Sequence, residues 1–227
     1  MTKSREEILE LGYAHFLTSG APFVSAGSAD ALVERYAGLA PERLLRVWRT
    51  LGLGTSHGGL VQFCDPEDHA STLEEILGRD AELRPAESLV YAHTAFGKLF
   101  VWNARWQAVI VNLLPRWVIP FSARTPPPEA DRELRLNSEL ASLGPATCDL
   151  RDTHGKPLFE RAVKKLGPLS FGEVYGFFPA LALGGEAELA KLRRVRAREH
   201  FSILAQLGGY SVMDASKVPP QVVRALG

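Results

Sequence analysis

The chain has 227 residues, 46% of them hydrophobic and 23% charged, which suits one large or two small globular domains and excludes a disordered or fibrous polymer. Its 26 basic and 26 acidic residues cancel, so it has neither the basic excess of a general nucleic-acid binder nor the acidic excess of a whole-molecule DNA mimic. Cys64 and Cys148 are too few for a zinc site of their own or a disulfide framework and read as reduced, buried thiols.

The opening MTKSREEILELG is charged and lacks the apolar centre of a signal peptide. No apolar run approaches the ~20 residues of a membrane span, so a cytoplasmic protein without membrane contact is expected. Residues 4–17 predict a helix, with Glu6, Glu7 and Glu10 near its positive end. TSGAPFVSAGSAD reads as a loop, and residues 1–27 as an N-terminal helix-and-loop extension.

The helix ALVERYAG follows, then PERLLRVWRTLGLG, with Pro41 at its start and Gly52 or Gly54 at its stop. LVQFCD is a short strand. Asp65 then has the character of an N-cap, with Pro66 in the first turn of a helix running to Gly78.

SLVYAHTAF, KLFVWN and AVIVNLL are rich in β-branched and aromatic residues with short turns between them, which predicts an antiparallel meander. WVIPF adds an edge strand, because Pro120 has no N–H for a ladder. The proline-rich SARTPPPEAD is the best boundary, dividing an α+β unit (28–123) from a second unit (129–216), with 217–227 as a tail. The second unit reads as mainly helical: DRELRLNSELASLG, PLFERAVKKLG and a long segment from Glu186 to Leu207. The expected fold class is α+β, an antiparallel meander flanked by helices and followed by a mainly helical C-terminal half.

Several residue groups invite a chemical reading. Cys64, Asp65, Asp68 and His69, with His57 upstream, offer mixed metal ligands, although helix-start chemistry explains most of them. Asp149, Asp152 and His154 could suit acid–base work, but a turn explains the same spacing better. LGTSHGG and LGGE match neither phosphate-loop nor dinucleotide patterns. Trp102, Trp106 and Trp117 suit a sheet core or a protein interface better than base stacking. Asp65 to Glu87 holds eight acids against Arg79 and Arg84, and KLRRVRAR holds five bases and no acid. Runs of this kind are solvated faces or patches that steer a charged partner.

Three stretches carry a family resemblance. ERYAGLAPERLLRVWRTLGLG with LVQFCDPEDH, and AHTAFGKLFVWN with VIVNLL, resemble a GAD-like domain. YGFFPALALGG with LRRVRAREHFSILAQLG resembles the C-terminal domain of type VI secretion immunity proteins paired with DNase effectors. The turn NARWQA departs from the resemblance where a glycine-containing turn is expected.

The resemblance implies a bacterial, non-catalytic protein without cofactors that binds a cognate nuclease toxin and occludes it, with no direct nucleic-acid binding. The partner-binding candidates are Trp106 with Glu67, Asp68, Glu74, Glu75 and Asp80, five acids suited to a basic nuclease. The alternatives are an interaction or regulatory module without an adjacent toxin, and a metal-dependent hydrolase. The stretch FFPALALGG is expected as a buried strand or as part of the contact surface.

Overall fold

The computed structural model describes residues 4–19, 22–122 and 124–226, without the side chains of Arg5, Ile8, His15, Thr18 and Ser19. Met1–Lys3 of the opening, Gly20 and Ala21 of the expected loop, Ala123 of the spacer and Gly227 of the tail therefore lie outside the described residues.

The framework is a nine-stranded sheet in the order β1-β2-β3-β4-β5-β6-β7-β10-β11. Its strands are β1 (Val24–Gly27), β2 (Leu53–Ser56), β3 (Val61–Phe63), β4 (Ser88–Thr94), β5 (Lys98–Asn103), β6 (Gln107–Asn112), β7 (Trp117–Pro120), β10 (Ser211–Asp214) and β11 (Gln221–Ala225). Neighbours are antiparallel except β7 and β10, which run parallel. A separate antiparallel ribbon joins β8 (Glu173–Phe177) to β9 (Leu192–Arg196).

The meander from β4 to β7 forms as its residue types require. Along β5, Leu99 and Val101 face one core while Phe100 and Trp102 face the other. Both faces of the sheet are covered, so period-2 alternation appears as an almost continuous apolar run. One core lies under α1 (Arg5–Ser19), α2 (Asp30–Tyr36), α3 (Glu42–Leu51), α5 (Arg132–Ala141) and α7 (Phe159–Leu166). The short α6 (Pro145–Cys148) brings buried Cys148 to it. The other lies under α4 (Ala70–Leu77) and α8 (Ala197–Gln206), where Leu73, Ile76 and Leu77 meet Phe201, Leu204 and Ala205.

The N-terminal helix is fastened to the body. The Asn137 amide donates to the Leu9 carbonyl at 2.7 Å, and Glu10 accepts from Arg43 at 2.9 Å and from Arg46 at 2.8 Å. These two guanidinium groups hold the Glu10 carboxyl below the usual range and lie over the Tyr13 ring.

Four expectations need correction. Part of the first loop is β1, which takes the outer position beside β2. The strand containing Pro120 is internal, because β10 pairs with its other side. That pairing joins only Trp117 to Ser211 and Val118 to Val212, so it stops before Pro120 would have to donate. The expected tail supplies β11. The C-terminal half is mixed, because KLRRVRAR begins as β9, and its pairing with β8 outweighs the helix propensity of Arg and Lys.

The stretch FFPALALGG also differs from a simple buried strand. Strand β8 ends at Phe177; a cis Phe178–Pro179 bond and a short 3-10 turn over Leu181–Leu183 follow. Phe178 and Leu183 are exposed. Gly185 closes this loop, since a Cβ there would lie 2.0 Å from the Pro179 carbonyl oxygen. In the turn NARWQA, Gln107 takes the left-handed backbone (φ 60°) expected of a glycine, and the Asn103 side-chain oxygen accepts from the N–H groups of Arg105 at 3.0 Å and Trp106 at 2.7 Å.

Candidate functional site: an acidic ridge and a buried Cys–His cluster

Asp65 behaves as the cap its sequence context suggests, accepting from the Glu67 N–H at 3.0 Å. It caps a 3-10 turn, Pro66–His69, and α4 begins only at Ala70. Thr72, Leu73, Ile76 and Leu77 turn inward, which leaves Glu74 and Glu75 outward.

Helix α4 is therefore a ridge between two depressions. One, of about 380 Å³, lies towards Gly208 and Tyr210; the other, of about 310 Å³, lies towards Tyr36 and Pro85. Glu74 lines both, Glu75 the first and Glu67 the second. Glu67 accepts from the Tyr36 hydroxyl at 3.3 Å, with Arg35 at 3.7 Å. Asp68 is half-buried and faces Arg198 at 3.7 Å. Its carboxyl is raised by burial first and by the Asp65 charge second, with Arg198 opposing.

The other two partner-binding candidates serve the interior. Trp106 is 3% exposed, and its indole N–H donates to the Glu82 carbonyl at 3.1 Å. The Asp80 carboxylate accepts from the Leu83 N–H at 2.8 Å, the Glu82 N–H at 3.0 Å and Arg224 Nη2 at 3.0 Å. Burial pushes this carboxyl up, but Arg224 and the two backbone donors outweigh it and leave it lowered. The outward acidic group is thus reduced to Glu67, Asp68, Glu74 and Glu75. The sequence places Asp80 and Trp106 near this region but does not show which way they point.

The metal-type reading also changes membership. Asp65 is committed to its cap, and His57 lies across the sheet beside Gly144. His93 of β4 joins Cys64 and His69 instead. One donor atom from each lies within 4.8 Å of the others, and all three residues are buried. The His69 and His93 rings meet edge-on at 5.3 Å between centroids, and Phe201 covers both. A cavity of about 260 Å³, also lined by Asp68 and Arg198, opens on the cluster.

Burial, with the neighbouring His93 and Arg198, lowers His69 to about 3; burial lowers His93 to about 4 against its Thr94 hydrogen bond. Burial, with the Asp68 and Asp65 charges, keeps the Cys64 thiol protonated. His93 escapes a spacing-based reading because it is far along the chain. Only strand pairing brings it in, with His93 opposite Gln62. Its one sequence sign is a polar residue inside SLVYAHTAF.

Asp149 and Asp152 hold backbone rather than a reacting centre. Asp149 accepts from the N–H groups of Leu150 at 2.7 Å and Phe159 at 3.0 Å. Asp152 accepts from the His154 and Lys156 N–H groups, both at 2.9 Å, and from Arg161 at 2.6 Å. Arg161 first, then the Lys156 N–H, hold Asp152 at about 2. His154 is exposed in the turn they organise. Trp102 is fully buried beneath α5, with the Arg132 guanidinium 5.7 Å from its ring centre, which supports the core reading.

Comparison with known proteins agrees with the two-part resemblance. Residues 13–114 match the family model of the GAD-like domain, and residues 139–208 match that of the C-terminal domain of the type VI secretion immunity protein Tdi1. Among solved structures, the chain is similar to Atu4351 from Agrobacterium tumefaciens. The identity is 29% and the TM-score 0.89, over 95% of this chain and 98% of that one. No curated protein matches. Among the described residues, no helix is long and apolar enough to cross a membrane.

Proposed function

From the pairing of a GAD-like domain with an immunity-protein C-terminal domain, we propose that the chain is a type VI secretion immunity protein whose partner is a nuclease effector. The match over residues 139–208 carries this reading. Inhibition is by occlusion: the chain covers the nuclease's DNA-binding surface and performs no chemistry. The structural duties of Asp149 and Asp152 support a non-catalytic role.

The contact surface we assign is the ridge of α4 with the turn before it, through Glu67, Asp68, Glu74 and Glu75. A nuclease cleft is basic because it must attract DNA phosphates, and an acidic ridge competes for that same field. The flanking depressions receive side chains from either side of the ridge. A stable complex of this type buries ~1,200–2,000 Å² in total, more than the ridge alone offers, so the neighbouring surfaces share the interface.

The test is co-purification with the protein encoded beside this one, with DNA cleavage assayed in the same tube. A stable complex with loss of cleavage is the expected result. Absence of binding with undiminished cleavage refutes the pairing and favours an interaction module without an adjacent toxin.

A further inference from the structure

We propose that Cys64, His69 and His93 form a binding site for one zinc-class divalent cation, with its fourth position turned toward the cavity beside Asp68. Three elements meet there: the residue after β3, the turn before α4, and β4. Their donor atoms lie within 4.8 Å of one another. Around tetrahedral zinc, with bonds of ~2.0–2.3 Å, ligand atoms stand about 3.5 Å apart, so small side-chain rotations close the set.

The hydrogen bonding suits metal ligation. His93 Nδ1 lies 3.2 Å from the Thr94 carbonyl oxygen. A proton on that nitrogen leaves Nε2 as the ligand, and a backbone acceptor behind a metal-bound histidine is a common support. His69 is 2% exposed, and its Nδ1 finds no hydrogen-bond partner among the described residues. The Cys64 thiol has only a weak 3.8 Å bond to the Val90 carbonyl. An orphaned buried nitrogen is destabilising. Coordination satisfies the donor set at once.

The charge balance also closes. On binding, the Cys64 thiol releases its proton to solvent and bonds as thiolate. With the Asp68 carboxylate or a water in the fourth position, the site carries zero or one net positive charge. Nitrogen and sulfur donors select zinc, cobalt or copper over magnesium or calcium. The cavity, with half-exposed Asp68 and exposed Arg198 at its mouth, gives the ion an entry path.

The ion would cross-link the end of β3, the turn before α4 and β4 within the 13–114 segment, beneath α8. Phe201, from the segment matched at 139–208, packs on both histidine rings. Such a clasp would stabilise the junction behind the acidic ridge without taking part in any reaction.

The experiment is titration of the purified, chelator-stripped full chain with Co²⁺. The expected result is one equivalent bound, with a near-ultraviolet thiolate-to-cobalt charge-transfer band that Zn²⁺ abolishes by displacement. Cys64→Ser removes that band, and His93→Gln weakens Co²⁺ binding by about tenfold or more. Absence of the band from the wild-type chain at saturating Co²⁺ overturns the proposal, as does its persistence in Cys64→Ser. The wild-type result decides the matter even if a variant fails to fold. None of these readouts depends on an effector.

Discussion

Gln62 grips the start of β8 with both ends of its amide. Its Nε2 donates to the Glu173 carbonyl at 2.6 Å, and its Oε1 accepts from the Gly172 N–H at 2.8 Å. Gln62 is fully buried in β3, and together with the Tyr175 N–H, which donates to the Ala95 carbonyl at 2.9 Å, it ties the main sheet to the β8–β9 ribbon. Gln62→Leu keeps the volume and orphans both backbone groups. It should cost about 1–3 kcal/mol, read as a lower urea midpoint with an unchanged slope. An unchanged midpoint would show that solvent replaces the amide without loss.

Glu139 sets a pH dependence. It is buried on α5 and accepts from the Tyr91 hydroxyl at 2.5 Å. Burial raises its carboxyl to about 8, against the lowering effect of that bond. A raised folded value means that the folded state holds a proton the unfolded state has lost. The stabilisation is complete below the unfolded value near 4.5 and is lost as pH climbs towards about 8. Glu139→Gln, permanently neutral, should flatten this fall; stability curves of both proteins from pH 5 to about pH 8 test it. Parallel curves would refute it.

The acidic ridge gives a kinetic prediction. Changing Glu67, Glu74 and Glu75 together to Lys leaves Asp68 and the cavity beside it intact. Association with the proposed nuclease should slow by about tenfold or more at low salt, and the difference should shrink as salt rises. Stopped-flow mixing at two ionic strengths measures this. Identical rates would make the ridge an ordinary solvated surface and move the contact elsewhere.

Beyond its pairing with β10, the C-terminal strand is tied by one cation to the loop after α4. Arg224 of β11 bridges the Asp80 carboxylate and Glu82, the latter at 3.3 Å. Arg224→Ala leaves a mostly buried carboxylate with its backbone donors alone. A loss of about 1–3 kcal/mol is expected, together with faster hydrogen exchange in β10 and β11. Exchange that stays slow would show that the strand pairing suffices.

What could be read from the sequence follows the range of the interactions involved. Asp65 and Pro66 announce a helix start because capping is settled within three residues, and the capping bond is present. The meander is legible because Leu99, Phe100, Val101 and Trp102 state their environment residue by residue. By contrast, β9 was hidden in a basic run with helical propensity, because its conformation depends on β8. Trp106 and Asp80 stand among the partner-binding candidates because nothing local reveals that Glu82 and Arg224 occupy them. His93 joined the candidate site only through a strand register that no spacing rule encodes.

The parallel junction between β7 and β10 has a bearing on synthesis. Strand β7 leaves the ribosome well before its neighbour β10 exists. Until Ser211–Asp214 emerges, Trp117 and Val118 present an open row of backbone donors and acceptors to whatever is nearby. A ribosome stalled in that interval would display a nascent sheet with an unpaired border, open to association with other chains.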